Sequence, residues 1–113
     1  MEINFVNIPV KYQTLIKKTV ARFQRNYRLN PQAVASIEFI SKSKIRGLNQ
    51  KYRGLDAPTD VLSFPIWQNA TIIPQEGVVN LGDIFICPEA TDIDTKLAEL
   101  VWHSLNHLIG KHH

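Results

Sequence analysis

The strongest constraint on the fold is the alternation between short β-branched runs and longer runs of helical periodicity, several of which end at proline or glycine. This alternation predicts the element order β-α-β-α-β-β-α. Strand–helix–strand units favour parallel neighbours, whereas DVLSFP and LGDIFIC have no helix between them and are expected to pair antiparallel. The sequence therefore predicts an α+β fold, a single small domain over residues 1–113 with a four-stranded mixed sheet packed with helices.

Local patterns assign the remaining elements. EINFVNI and AVASIEFIS are predicted strands, and a helix is predicted from Val10 to Tyr27. Ser43 is expected to cap a short helix, KIRGLNQKYR, whose inward positions are Ile45, Leu48 and Tyr52. Residues 66–80 are predicted to form a long irregular segment.

The segment DTKLAELVWHSLNHLIG has the pattern of an amphipathic helix. Its apolar stripe consists of Leu97, Val101, Leu105 and Leu108. Asp92 or Asp94 is expected to cap the start of this helix, and Gly110 is expected to end it.

Four histidines, the only ones in the chain, lie in its last eleven residues. His103 and His107 are four positions apart, so both imidazoles lie on one helix face and can reach one metal ion. A turn at Gly110 could bring in a third histidine, either His113 or His112. Three imidazoles and an open fourth position are typical of a catalytic zinc site. With Cys87 as the single cysteine, no Cys-rich zinc module is possible, and Cys87 is expected in the core.

Charge is distributed unevenly along the chain. Residues 1–56 carry 11 basic and 3 acidic side chains, a net +8, and residues 57–113 carry 2 and 7, a net −5. The two halves are either solvated faces of opposite sign, which are common, or the basic half forms a surface that binds a polyanionic ligand. Its candidate contacts lie on the outer side of the first predicted helix and are Lys11, Lys18, Arg22 and Arg25. The sequence has neither a membrane-spanning apolar run nor a signal-peptide pattern, and a cytoplasmic location is expected.

Three segments in order, LNQKYRGLDAPTDVLSFP, LGDIFIC and HSLNHLIGKHH, resemble the motifs of the YbeY family of bacterial metal-dependent endoribonucleases. The resemblance implies a single-strand-specific, zinc-dependent enzyme that acts on rRNA, in 16S 3′-end maturation and ribosome quality control. It implies RNA and ribosomal particles as partners. The family's metal-binding histidines fall on His103, His107 and His113, and its motif arginine falls on Arg53. The chain departs from the motif at four places, which are Ser104, Asn106, Lys111 and His112.

Alternatives exist for the function and for individual residues. A ribosome-associated RNA-binding protein with a purely structural metal would share these features. The histidine spacing also resembles that of metzincin proteases, but Ser104 replaces the glutamate that acts there as general base.

Arg53 is either a phosphate clamp or an ion-pair partner of Asp56 or Asp60. Asp83 either orients a histidine or bonds to a backbone N–H group. Trp67 could stack on a base, but packing is the commoner role, and Thr59, Asp60 and Ser63 are expected to shape the pocket floor.

Overall fold

Four strands form one mixed sheet in the computed structural model, which describes residues 1–111. The strands are β1 (Glu2–Val6), β2 (Ala33–Phe39), β3 (Val61–Pro65) and β4 (Val79–Ile86), in the spatial order β1-β2-β4-β3. β2 pairs parallel with both β1 and β4, whereas β3 pairs antiparallel with β4. The predicted α+β class and the antiparallel pairing of DVLSFP with LGDIFIC are therefore confirmed.

The three helices cover both faces of the sheet. They are α1 (Val10–Asn26), α2 (Lys42–Arg53) and α3 (Ile93–Leu108), and short 3-10 turns lie at Ala70–Ile72 and Pro88–Ala90. α1 and α3 pack with Ile84 and Ile86 of β4 in the main core. α2 packs through Ile45 on the other face, against a second cluster that contains the fully buried Cys87. No helix within residues 1–111 combines the length and apolarity needed to cross a bilayer.

α1 and α3 run in the same direction. At their starts, the Tyr12 hydroxyl donates a hydrogen bond to Asp94 Oδ1 at 2.8 Å. Toward their ends, the Phe23 ring meets the Trp102 ring edge to face, with centroids 5.2 Å apart. The C-terminal ends of the two helices consequently lie at the same end of the molecule.

Two details of α2 differ from the sequence-based prediction. The helix begins two residues earlier than expected, so Ser41 rather than Ser43 is the cap, and its hydroxyl accepts a hydrogen bond from Lys44 N at 3.2 Å. Tyr52 was predicted to point inward but is 58% exposed. The buried position is taken instead by Asn49, whose Nδ2 donates to the Ala57 carbonyl at 2.9 Å. A polar side chain can occupy this position because the following loop supplies an acceptor for its amide.

Two further details differ, although α3 begins where the sequence predicted. Asp92 occupies the N-cap position of α3 but makes no side-chain cap bond, and Asp94 is engaged by Tyr12 instead of capping the helix. The irregular segment predicted for residues 66–80 is shorter than expected. It contains the 3-10 turn at Ala70–Ile72, and β4 already begins at Val79, because pairing with β2 extends the strand.

Candidate functional site

The buried stripe of α3 places the two candidate metal-binding histidines. Leu97, Val101, Leu105 and Leu108 are all 0% exposed, as predicted, and they anchor the helix on the sheet. His103 and His107 lie one turn apart on this helix, with His103 exposed and His107 half-buried. This spacing places the two imidazoles on the same side of α3.

His107 is held by a side chain from the sheet. Its Nδ1 lies 2.5 Å from the hydroxyl oxygen of Ser63 on β3, and Ser63 is 9% exposed. Coordination of a metal by His107 would therefore use Nε2, with the proton on Nδ1 donated to Ser63 Oγ. The sequence predicted Ser63 only as part of the pocket floor. The available signal for this contact was its inward position in DVLSFP, where a buried hydroxyl needs a partner.

His103 has a carboxylate neighbour on its own helix. Its Nε2 lies 3.9 Å from Glu99 Oε1, and Glu99 also lies 3.7 Å from the ammonium group of Lys96. Sequence reasoning did not single out Glu99, although its place four residues before His103 was visible. Within residues 1–111, no three His, Cys, Asp or Glu residues are grouped closely enough to hold a metal ion. The predicted third ligand, His113, and its alternative, His112, lie outside the described residues.

The chain turns sharply after α3, as the sequence predicted. Gly110 has φ +79°, and a Cβ at this position would lie 2.6 Å from Asn69 Cα. The turn is stabilised by a hydrogen bond of 2.8 Å from Lys111 N to the Asn106 carbonyl. Only glycine therefore allows both this backbone conformation and the close approach of the 3-10 turn.

Arg53 is the last residue of α2 and is exposed. The predicted alternative, an ion pair with Asp56 or Asp60, is not among the ion pairs formed within residues 1–111. Asp56 pairs with Arg46 instead, with Nε and Oδ1 2.7 Å apart. The hydrogen bond from Arg46, together with the attraction between the charges, lowers the pKa of the Asp56 carboxyl.

Strand β3 links the end of α2 to the histidine helix. Tyr52, next to Arg53, packs its ring against Phe64 with centroids 5.2 Å apart. Phe64 follows Ser63 on β3, and neighbouring residues of a strand point to opposite faces of the sheet. Because β3 is an edge strand, Arg53 and His107 lie on elements that pack against the same sheet edge from its two sides.

Asp83 does not face His103 or His107. It pairs in register with Phe64, so its side chain lies on the α2 face, where it lines a groove with Tyr52 and Phe64. The predicted role of Asp83 in orienting a histidine is therefore wrong for His107, which contacts the opposite face through Ser63. Trp67 has the predicted packing role: it packs against the main core, and its Nε1 donates to the Asn80 carbonyl at 2.8 Å.

The four predicted polyanion contacts are exposed on α1 but lie at different distances from the C-terminal end of α3, which carries the histidines. The Arg22 guanidinium stacks on Trp102, 4.8 Å from the ring centroid, and Trp102 directly precedes His103. Lys11 lies at the opposite end of α1, roughly 16 Å from Arg22 along the helix axis at 1.5 Å per residue. Arg22 and Arg25 therefore lie on the C-terminal half of α1, beside the C-terminal end of α3. Lys11 lies at the other end of α1.

Comparisons with known proteins agree with this architecture. The model of a family described as endoribonuclease YbeY matches residues 2–113. The solution structure of TM1509 from Thermotoga maritima is similar over 98% of this chain and 73% of that one, with a TM-score of 0.56. The sequence identity to that protein is 21%, so this similarity supports the fold alone.

Curated relatives named endoribonuclease YbeY are more similar in sequence. One from Pelotomaculum thermopropionicum is 35% identical over 91 residues, which cover 73% of this chain and 60% of that protein. One from Alkaliphilus metalliredigens is 32% identical over 117 residues, covering 96% and 76%. One from Methylocella silvestris is 36% identical over 110 residues, covering 89% and 58%. The chain thus spans about three fifths of the length of the first and third of these relatives.

Proposed function

The chain belongs to the endoribonuclease YbeY family, and on this premise we propose that it is a metal-dependent endoribonuclease that cleaves single-stranded RNA. Its proposed role is 16S rRNA 3′-end maturation and ribosome quality control, with rRNA and ribosomal particles as partners. The observation that carries the proposal is the contact between Ser63 and His107, which joins two of the three family-like segments, LNQKYRGLDAPTDVLSFP and HSLNHLIGKHH.

The side chains of residues 1–111 supply part of a ligand set that fits a zinc ion. His103 and His107 supply two imidazoles from one helix face. The Ser63 hydroxyl contacts Nδ1 of His107. Metal-bound histidines commonly use their other ring nitrogen for such a second contact. His113 is the proposed third ligand. When bound, zinc supplies Lewis acidity toward a phosphoryl oxygen and acidifies coordinated water.

The protein's own residues then divide the remaining tasks. Ser63 orients the His107 ring through its contact with Nδ1. Arg53, whose guanidinium has no ion-pair partner within residues 1–111, is proposed to bind the scissile phosphate bidentately. Lys11, Lys18, Arg22 and Arg25 are proposed to bind the RNA backbone. Ser104, at the position of the metzincin glutamate, is 4% exposed, and a buried hydroxyl there does not favour protease chemistry.

The function is tested by following RNA cleavage and RNA binding in parallel with and without a chelator. We expect a single-stranded oligonucleotide to be cut by the metal-loaded protein, and cleavage to stop on chelation while binding persists. Binding without cleavage in the metal-loaded protein would instead indicate a ribosome-associated binding protein with a structural metal.

Replacing Ser63 with alanine is expected to weaken zinc binding. Loss of a residue that orients a ligating histidine typically lowers metal affinity by about 10- to 100-fold. Affinity is measured by competition with a chromophoric chelator. The matched control is Ser36→Ala on β2, a half-buried strand serine that should leave the affinity unchanged. Equal affinities for the two variants would show that the contact with His107 does not support the metal.

RNA binding is expected to depend steeply on salt. If all four α1 cations contact phosphates, a plot of the logarithm of the binding constant against the logarithm of the salt concentration should have a slope of about −3 for single-stranded RNA. The affinity for RNA should therefore fall roughly 50-fold when the salt concentration is raised from 50 to 200 mM. Arg22→Gln should make the slope shallower by about 0.7, and Lys42→Gln, an exposed cation on α2, should not change it. A flat salt dependence would refute the proposed interface.

A further inference from the structure

A cavity opens where the C-terminal ends of α1 and α3 meet. Its volume is about 210 Å³. Its apolar wall comes from the connection between α1 and β2, from the 3-10 turn, from β4 and from the residue that ends α3, and it includes Leu29, Ile73, Leu81 and Ile109. Tyr27 adds a half-buried aromatic ring.

The charged groups at this cavity are basic. Arg28 and Lys111 both line it, and both are exposed. The Lys111 ammonium lies over the Tyr27 ring, 4.8 Å from its centroid, which holds it beside the cavity. Among residues 1–111, no acidic side chain lines the cavity. The site therefore combines an apolar interior with two cations and is complementary to an apolar ring that carries an anion.

The wall is organised by a buried amide. Asn30 is 3% exposed, and its Nδ2 donates to the carbonyls of Pro74 and Gly77 at 3.0 and 2.9 Å. Its Oδ1 accepts a hydrogen bond from Gln32 N at 2.9 Å. These bonds tie the connection before β2 to the segment before β4, so the cavity is formed before any ligand binds.

Resting on the proposed function, we propose that this cavity is a subsite for one nucleotide of the RNA strand. An unstacked base enters the apolar interior beside Tyr27, and its phosphate is bound by Arg28 and Lys111. Proteins that read single-stranded RNA use splayed bases against aromatic side chains in this way. The cavity is smaller than the roughly 300–1,000 Å³ typical of drug-sized ligands, which favours a single base.

The location supports a nucleotide of a bound strand. Arg28 lies three residues after Arg25, just beyond the end of α1, and lines the cavity. Lys111 follows the turn at Gly110, directly after the histidine helix. If an RNA strand is cut near the end of α3, a nucleotide next to the cleavage position can enter the cavity.

The subsite is tested first with the four nucleoside 5′-monophosphates, whose binding is measured by NMR titration of backbone amides. We expect the shifts to be confined to the lining residues and to be weaker for nucleosides that lack the phosphate. Arg28→Gln with Lys111→Gln should weaken binding at least about tenfold, since two charge-assisted contacts are lost. Lys42→Gln, an exposed cation that does not line the cavity, is the matched control and should bind as the wild type does.

A second variant fills the cavity without removing charge. Ala70 lines the cavity from the exposed 3-10 turn, so Ala70→Leu should block mononucleotide binding and raise KM for RNA while leaving kcat unchanged. The subsite would be overturned if the wild type binds no mononucleotide. It would also be overturned if the KM for RNA is unchanged in both the Arg28→Gln/Lys111→Gln variant and the Ala70→Leu variant, even if the wild type cleaves RNA. The titration needs no cleavage, so a failure of the proposed nuclease activity would be seen separately.

Discussion

Replacing His107 with alanine is expected to remove the bound metal and abolish RNA cleavage. The substitution deletes the imidazole whose Nδ1 is held by Ser63, so the two remaining proposed ligands would have to bind zinc alone. Catalytic zinc sites generally need three protein ligands. The measurement is elemental analysis of tag-free protein, where we expect one equivalent of metal in the wild type and far less in the variant.

Three further variants sharpen this test. Lys96→Ala, an exposed position on the same helix, should retain the full equivalent of metal. Between the two terminal histidines, His113→Ala should lose metal and His112→Ala should keep it. Full metal content in His107→Ala would refute the site. Loss of metal in His112→Ala but not in His113→Ala would move the third ligand to His112.

Replacing Arg53 with alanine is expected to slow cleavage by about 10²–10³-fold, by analogy with the loss of one donor that stabilises developing charge. The physical reason is that a guanidinium bound to the phosphate strengthens its interaction as charge develops in the transition state. Folding should be little affected, because Arg53 is exposed and forms no ion pair within residues 1–111. Single-turnover cleavage of single-stranded RNA measures the effect without a contribution from product release.

Arg46→Ala is the matched control for this experiment. Arg46 lies on the same helix and forms an exposed ion pair with Asp56, so its removal tests the loss of a surface arginine without the proposed phosphate contact. Circular dichroism and metal content should first show both variants folded and loaded. Cleavage at the wild-type rate by a metal-loaded Arg53→Ala variant would make Arg53 dispensable for the chemistry.

Local sequence patterns were sufficient for most of the fold. Hydrophobic periodicity located α3 and its buried stripe, and the glycine at position 110 marked where the chain turns. The absence of a helix between DVLSFP and LGDIFIC predicted their antiparallel pairing. Boundaries that depend on neighbouring elements were less accurate, as at Ser43 and Tyr52, because the start of a helix and the burial of its last turn are decided by contacts beyond it.

For the candidate site, the sequence by itself determined which residues share a helix face, since the spacing of His103 and His107 translates directly into direction on a helix. Only the tertiary structure decided their surroundings. Strand register turned Ser63 toward His107 and Asp83 toward the opposite face, and packing paired Arg46 rather than Arg53 with Asp56. Such contacts depend on which strands pair and in what register, and a shift of one residue would reverse every side chain of a strand.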